Sequence, residues 1–295
     1  MGVIGTIGEK LPEPVRVLLR PLGARYEEVR NSRMRYSLKR RTLRRYEVSV
    51  LKRPARFLGY LLVDPELDNF TYDLDNGDEL VGWLAEVTGE DRDRIAGLLQ
   101  ELDEDHAFEQ LLVGKLRGRL DRKRRPHYGR RAGWYVVARL FRPGTILETG
   151  IHDGLGSALL LRALERNEAE GHPGHLVSVD INPAAGWLVP DELRSRWTPV
   201  FAPSDEALPD AVAGREIEMF IHDSEHTYEC ERREMEVALA HRGRMLALIS
   251  DNSHATTALR DVAAGLGVEY HLFMERPRGH FYPGAGIGFS LLRAA

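Results

Sequence analysis

Cysteine is almost missing from this chain: its 295 residues hold one, Cys230. A disulfide within the chain is excluded, and with it the small secreted folds that depend on such staples, so a reducing cytoplasm is the expected compartment. No apolar run reaches membrane-spanning length and no signal-peptide pattern is visible, so no membrane partner is expected. The acidic run Asp73–Asp78 lacks the glutamate a calcium loop requires, since the twelfth position from Asp73 is Leu84. That run reads as a polar loop.

Charge, by contrast, is plentiful: 29% of residues are Asp, Glu, Lys or Arg, and the net charge of −4 hides strong segregation. Residues 1–60 carry about +10, residues 61–110 about −14 and residues 111–143 about +10 again. Opposed blocks of this kind pair with each other inside a domain or across a dimer, or grip nucleic acid. Internal pairing is the better reading, because the acidic block lies beside the basic ones and the pI is mildly acidic. Apolar residues at helical spacing predict helices through most of residues 11–120, with Leu80, Leu84, Ile95, Leu102, Leu112 and Leu116 among the inward positions. The basic stretch Arg122–Arg125 reads as a connector. Two domains are therefore expected: a helical one over 1–125, acting as a lid, a dimer contact or both, and a second over 126–295.

The second half alternates strand and helix, the pattern of a parallel sheet. Its organising stretch is Gly144–Ser157, Gly-Thr-Ile-Leu-Glu-Thr-Gly-Ile-His-Asp-Gly-Leu-Gly-Ser. An apolar strand leads into a turn with Gly150, Gly154 and Gly156, and a helix follows. Glycines let backbone N–H groups approach a ligand, and the helix start adds positive potential. The same grammar serves NAD, FAD, phosphates and S-adenosylmethionine (SAM). The next strand, His175–Val179, ends on Asp180, placed to bind a ribose diol; capping of its own loop is the alternative. Further strands are predicted at 198–202, 217–221 and 245–249. The chain closes with two strands joined without a helix, 269–274 and 287–292, an antiparallel hairpin that an ordinary NAD-binding sheet lacks.

Glu148-Thr149-Gly150 with Gly154, Val179-Asp180, and the block Ile221-His222-Asp223-Ser224-Glu225-His226-Thr227-Tyr228-Glu229 together resemble a family. Residues 127–295 are similar to class I SAM-dependent methyltransferases, in particular the bacterial small-molecule O-methyltransferases related to catechol and macrolide-sugar enzymes. The resemblance implies an α/β, Rossmann-like, seven-stranded sheet with an antiparallel last strand. It implies SAM over Gly150, Gly154 and Gly156 with its ribose on Asp180. Glu148 would organise the turn and reach toward the methionine amino group, and Ser204 and Asp205 would contact adenine. Where the family often has a methionine-carboxylate serine, this chain has Gly156, with Ser157 next door as a substitute.

The resemblance also implies a divalent metal, Mg²⁺, on Asp223, Asp251 and Asn252, all at C-terminal strand ends. Such a hard cation accepts substrate oxygens and lowers the pKa of a hydroxyl. Helix capping is the plainer role for either Asp alone. His226, three residues past Asp223, is the candidate general base, with His222 and His254 as rivals. No Lys follows Asp223, so the base of the catechol branch is absent. The expected partners are a small hydroxylated acceptor and a second copy of the chain in a dimer. Nucleic acid is not expected, because no Asn-Pro-Pro-Tyr-type base-reading motif is found. A nucleic-acid methyltransferase, an NAD-linked oxidoreductase and a non-catalytic SAM-binding protein are the rival readings.

Overall fold

In the computed structural model, residues 71–117, 125–278, 280, 282 and 284–293 are described. The chain divides into two compact units, Met1–Asn69 and Phe70–Ala295. The helices expected over residues 11–60 lie outside the described residues, as does most of the basic connector at 122–125.

The second unit is built on a sheet of seven strands: β1 (Thr145–Thr149), β2 (His175–Asp180), β3 (Trp197–Phe201), β4 (Ile217–His222), β5 (Arg242–Ser250), β6 (His271–Met274) and β7 (Gly286–Arg293). Their order is β3-β2-β1-β4-β5-β7-β6. The first five are mutually parallel, and β7 runs antiparallel between β5 and β6. This is the expected Rossmann-like sheet with its antiparallel final strand. β1 shows why the strands are almost continuously apolar: Ile146 faces one core and Leu147 the other, because helices cover both faces.

On one face lie α1 (Gly77–Thr88), α2 (Arg92–Asp103), α3 (His106–Leu116), α4 (Arg131–Phe141) and α5 (Leu155–Ala169). Side-chain caps start two of them: Asp91 accepts from Asp93 N–H, and Asp105 accepts from Phe108 N–H. On the other face lie α6 (Ser204–Ala211), α7 (Tyr228–Ala240) and α8 (Ala258–Leu266). Thr227 caps α7 by accepting from Cys230 N–H.

The division expected at residue 125 runs through this unit. Leu80, Leu84, Ile95, Phe108 and Leu112 are buried in one cluster with Trp134, Leu160 and Phe289, so α1–α3 share the core of the sheet. Asp105 also accepts from Arg162 and Arg166 of α5, which hold its carboxyl at about 2 although burial works against its charge. The acidic block does pair with basic residues internally at this point. The buried stripes of α1–α3, rather than the basic run that follows them in the sequence, decide where these helices belong.

Phe108 is fully buried. Phe108→Ala should cost about 3–5 kcal/mol and lower the single unfolding transition of the whole sheet unit in urea. A sheet transition unmoved by the change, with a separate early helical phase, would restore the boundary at 125.

Candidate active site

The C-terminal edge of the parallel strands carries a cavity of about 730 Å³. Its walls include Gly150, Asp180, Ser204, Asp205 and Asp223, all singled out from the sequence, together with Ile181, Ser224, Cys230 and Arg233. Ile181, at the end of β2, is 73% exposed and gives the cavity an apolar wall.

The turn after β1 is built around close approach. Gly150 has φ 87°, and a Cβ there would lie 2.0 Å from the carbonyl oxygen of Asp223, so only glycine lets the ends of β1 and β4 meet. Asp180 holds this turn in place. Its Oδ2 accepts from Ile151 N–H at 2.7 Å and His152 N–H at 2.9 Å, and its Oδ1 accepts from Asn182 N–H at 2.8 Å. The carboxylate caps its own loop, one of the two roles weighed from the sequence, and it lines the cavity with acceptor capacity left on Oδ1.

Four of the expected cofactor residues stand behind the wall. Gly154 opens α5 with φ 94°, packed on Gly186 and Val189, and a side chain on Gly156 would collide with the Trp134 ring at 2.6 Å. Ser157 is fully buried and donates to Glu148 Oε2 at 2.6 Å. Glu148 also accepts from Ser178 Oγ at 2.7 Å, and Trp197 Nε1–H donates to that same hydroxyl. Burial pushes the Glu148 carboxyl up to about 7, against the two serine hydroxyls that lower it. Ser157 is therefore committed to Glu148 rather than turned to the cavity. The sequence could not separate the two, because both residues share one turn.

The acidic centre lies beside the cavity. Asp223, Asp251 and His226 each offer a ligand atom, and these atoms lie within 4.8 Å of one another. Asp251 is 1% exposed and sits in the fork of Arg130, with Nε to Oδ1 at 2.5 Å and Nη2 to Oδ2 at 2.6 Å. Burial works against its charge, but Arg130 holds its carboxyl well below the usual range. Burial and then the charge of Asp251 push the Asp223 carboxyl well up, with Arg131 Nη2 at 3.7 Å from its Oδ2. A buried carboxylate beside a half-buried one, the latter short of positive charge, fits a divalent cation in donor type. Asn252 is in the left-handed region with φ 54°. Its amide pairs with His226 Nε2 at 2.8 Å, and its oxygen accepts from Tyr282 Oη at 3.2 Å. His226 and Asn252 thus stand together beside the two carboxylates. Burial lowers the His226 imidazole to about 4. His254 stands apart, accepting from Gly286 N–H at 3.1 Å.

Sequence reasoning missed Arg130 and Glu234. Arg130 lies past the basic connector, in the stretch from His127 to Leu140 that reads as a helix, and Glu234 lies in the long helix read from Tyr228, where the charge pattern does not mark it as inward. Both are buried beneath the strand ends.

Residues 147–253 match the family model described as a methyltransferase domain. The matched stretch spans the glycine turn, Asp180 and the Asp223–Asp251 centre, so this part of the chain is similar to a methyltransferase domain. No curated protein matches the chain. Among solved structures it is similar to the cofactor-bound Rv0187 from MTB, with 14% identity, TM-score 0.45, and 75% of this chain and 99% of that one covered. An O-methyltransferase from Bacillus cereus in complex with SAH aligns at 12% identity and TM-score 0.44, over 73% of this chain and 97% of that one. The O-methyltransferase TomG from Streptomyces achromogenes, in complex with SAM, aligns at 14% and 0.43, over 74% and 96%.

Glu148 generates a pH test. Its carboxyl is raised in the fold from 4.5 to about 7. The stability it contributes is therefore full below the unfolded value and is lost as pH rises through about 7, by at most about 3 kcal/mol. Glu148→Gln should flatten the fall in unfolding free energy between about pH 5 and 8. Equal slopes for wild type and variant would place the titration elsewhere.

Proposed function

We propose that the protein transfers the SAM methyl group to a hydroxyl oxygen of a small molecule, with a divalent cation, Mg²⁺ in the first instance, held by Asp223, Asp251 and Asn252. The observation that carries this reading is the paired carboxylates Asp223 and Asp251 beside the cofactor cavity, at the strand edge where α/β sheets bind ligands. Gly150 brings backbone close to the methionine end of the cofactor, Asp180 offers its remaining acceptor capacity to the ribose, and Ser204 and Asp205 line the adenine end. Glu148, Gly154, Gly156 and Ser157 support the turn from behind.

The transfer forms an O–CH₃ bond as the S–CH₃ bond breaks, and the acceptor proton leaves to a base. His226 suits that role in one respect: with its imidazole lowered to about 4, it is neutral at physiological pH. A base this weak takes a proton only from a hydroxyl that has already been made acidic. A bound divalent ion would supply that acidity and fix the hydroxyl oxygen. The hydroxyl must lie in line with the sulfonium methyl, so alignment by the cavity walls accounts for much of the rate. A dimer and a lid formed by the N-terminal region belong to the same proposal, as does a soluble, cytoplasmic enzyme. No described helix is long and apolar enough to cross a membrane.

SAM and S-adenosylhomocysteine should bind by calorimetry and NADH should not. Asp180→Ala should weaken S-adenosylhomocysteine about ten- to a hundredfold, since it removes a ribose partner and slackens the turn. Unchanged affinity in that variant would take Asp180 out of the site.

Radiolabelled methyl from SAM, offered to phenols, catechols and hydroxylated sugars, should appear as an O-methyl group. Transfer only to nitrogen would overturn the oxygen assignment. EDTA should abolish turnover while leaving S-adenosylhomocysteine bound. Asp223→Asn should mimic EDTA; it is the better probe, because Asp251→Ala would strand the buried Arg130 charge at a cost of about 3–5 kcal/mol. His226→Asn should keep the metal and lose about 10²–10⁴ in rate if His226 is the base. Loss of metal binding in that variant would make it a ligand instead.

A further inference from the structure

The methionine end of SAM carries a carboxylate, and the charge of the cavity disfavours one. Among the described residues that line it, Asp180, Asp205, Asp223, Glu225 and Glu229 are acidic, and only His152 and Arg233 are basic. Arg233 stands at the adenine end of the proposed site, with Nη1 3.5 Å from Asp205 Oδ2. Arg131 stands nearer the turn, but its guanidinium faces Asp223.

The backbone of the glycine turn has little left to offer that carboxylate. Gly150 N–H donates to the Val179 carbonyl at 2.8 Å and Gly154 N–H to the Ile151 carbonyl at 2.8 Å, while the N–H groups of Ile151 and His152 both go to Asp180 Oδ2. A helix start is a ready anion site. Here the start of α5 already holds a carboxylate of the chain itself, since Asp153, 5% exposed, accepts from Leu155 N–H at 3.1 Å. The Ser157 hydroxyl is spent on Glu148, and the Trp134 ring fills the space where a side chain on residue 156 would stand.

His152 is placed to supply what the backbone does not. It is a non-glycine residue in the left-handed region, with φ 51°, a conformation that few L-residues adopt. Two bonds hold it there: its N–H donates to Asp180 Oδ2 at 2.9 Å, and its carbonyl accepts from Gly186 N–H at 2.9 Å. The residue lines the cavity with its side chain half exposed, and its Nδ1 lies 3.8 Å from Asp153 Oδ1. A backbone outlier fixed from both sides at a ligand cavity is strain of the kind that function retains. We propose that the His152 imidazole binds the carboxylate at the methionine end of the cofactor, donating a ring N–H to it. Asp153 then has two tasks, capping α5 and orienting the His152 ring. The inference rests on SAM being the cofactor, as in the function proposed above. It assigns to a side chain the contact that an acidic wall and a satisfied turn do not provide.

The test is calorimetry of the full chain with S-adenosylhomocysteine, its decarboxylated analogue, and 5′-methylthioadenosine, which keeps the nucleoside and lacks the amino-acid tail. The variant is His152→Gly, because glycine accepts a φ of 51° without strain. It should weaken S-adenosylhomocysteine about ten- to a hundredfold, as expected for a lost hydrogen bond to a charged group. The other two ligands should stay within about twofold. The wild type should therefore prefer S-adenosylhomocysteine over the decarboxylated analogue, and the variant should lose that preference. His152→Asn, which also tolerates the left-handed region, should weaken S-adenosylhomocysteine in the same direction. Equal weakening of all three ligands in both variants would overturn the proposal and make His152 a support of the turn. Affinities unmoved by either variant would overturn it too. A wild type that binds S-adenosylhomocysteine and the decarboxylated analogue equally overturns it without any variant, and leaves the SAM reading intact. A wild type that binds none of the three ligands removes the SAM reading itself.

Discussion

Arg130 carries its guanidinium into the interior beneath the C-terminal edge of the sheet, where it is 2% exposed. There it meets Asp251 through two bonds, Glu275 Oε1 at 2.6 Å and the Tyr72 hydroxyl at 2.6 Å. The Tyr72 hydroxyl itself donates to Glu275 Oε1 at 2.5 Å. Those four residues come from the segment before α1, the start of α4, the end of β5 and the strand hairpin. One buried cation therefore ties together the parts that surround the acidic centre. Such a cluster is stable only when complete, because removing one partner strands a desolvated charge. Burial pushes the Tyr72 phenol well above its ordinary range, which keeps it a neutral donor inside the cluster. The constraint reaches the chemistry directly. Arg130 keeps Asp251 ionised, the fixed charge of Asp251 keeps Asp223 hard to ionise, and the pair is left in want of positive charge at the cavity.

The cofactor side follows a different logic. There the chain uses backbone rather than buried charge. Gly150 lets two strand ends touch, and Asp180 ties down the N–H groups of Ile151 and His152. Beneath them Glu148 collects Ser157 and Ser178, and Gly156 leaves room for Trp134. The glycines do not all touch the cavity. Two of the three exist so that α5 can pack closely, which is the same requirement met from the other side.

Glu234 does for the loops what Arg130 does for the acidic centre. It draws in Thr149 from β1, His222 from β4, and Ser224 and Cys230 from the cavity wall. The neighbouring Glu231 holds Ser250 Oγ at 2.6 Å and Thr256 Oγ1 at 2.5 Å, which fastens the loop that carries Asp251 and Asn252. Helix α7 thus presents a row of buried carboxylates to the strand ends. Its charge pattern alone does not reveal which turns face inward.

Much of the molecule was legible without a structure, for a local reason. Apolar period, turn glycines and acidic residues at strand ends are properties of short stretches, so the seven strands, the closing hairpin, the glycine turn and the line of Asp180, Asp223 and Asp251 could be read from spacing. The sequence by itself determined that a parallel sheet would bring those carboxylates to one edge. Tertiary structure decided the rest. Arg130 meets Asp251 across 121 residues, and Tyr72 meets Glu275 across 203. Ser157 turns inward to Glu148 while Gly150 faces the cavity, and α1–α3 join the sheet's core instead of standing apart. Each of those outcomes depends on which buried polar group finds a partner. That is a property of the folded packing, because a desolvated charge accepts whichever complementary group the topology delivers to it.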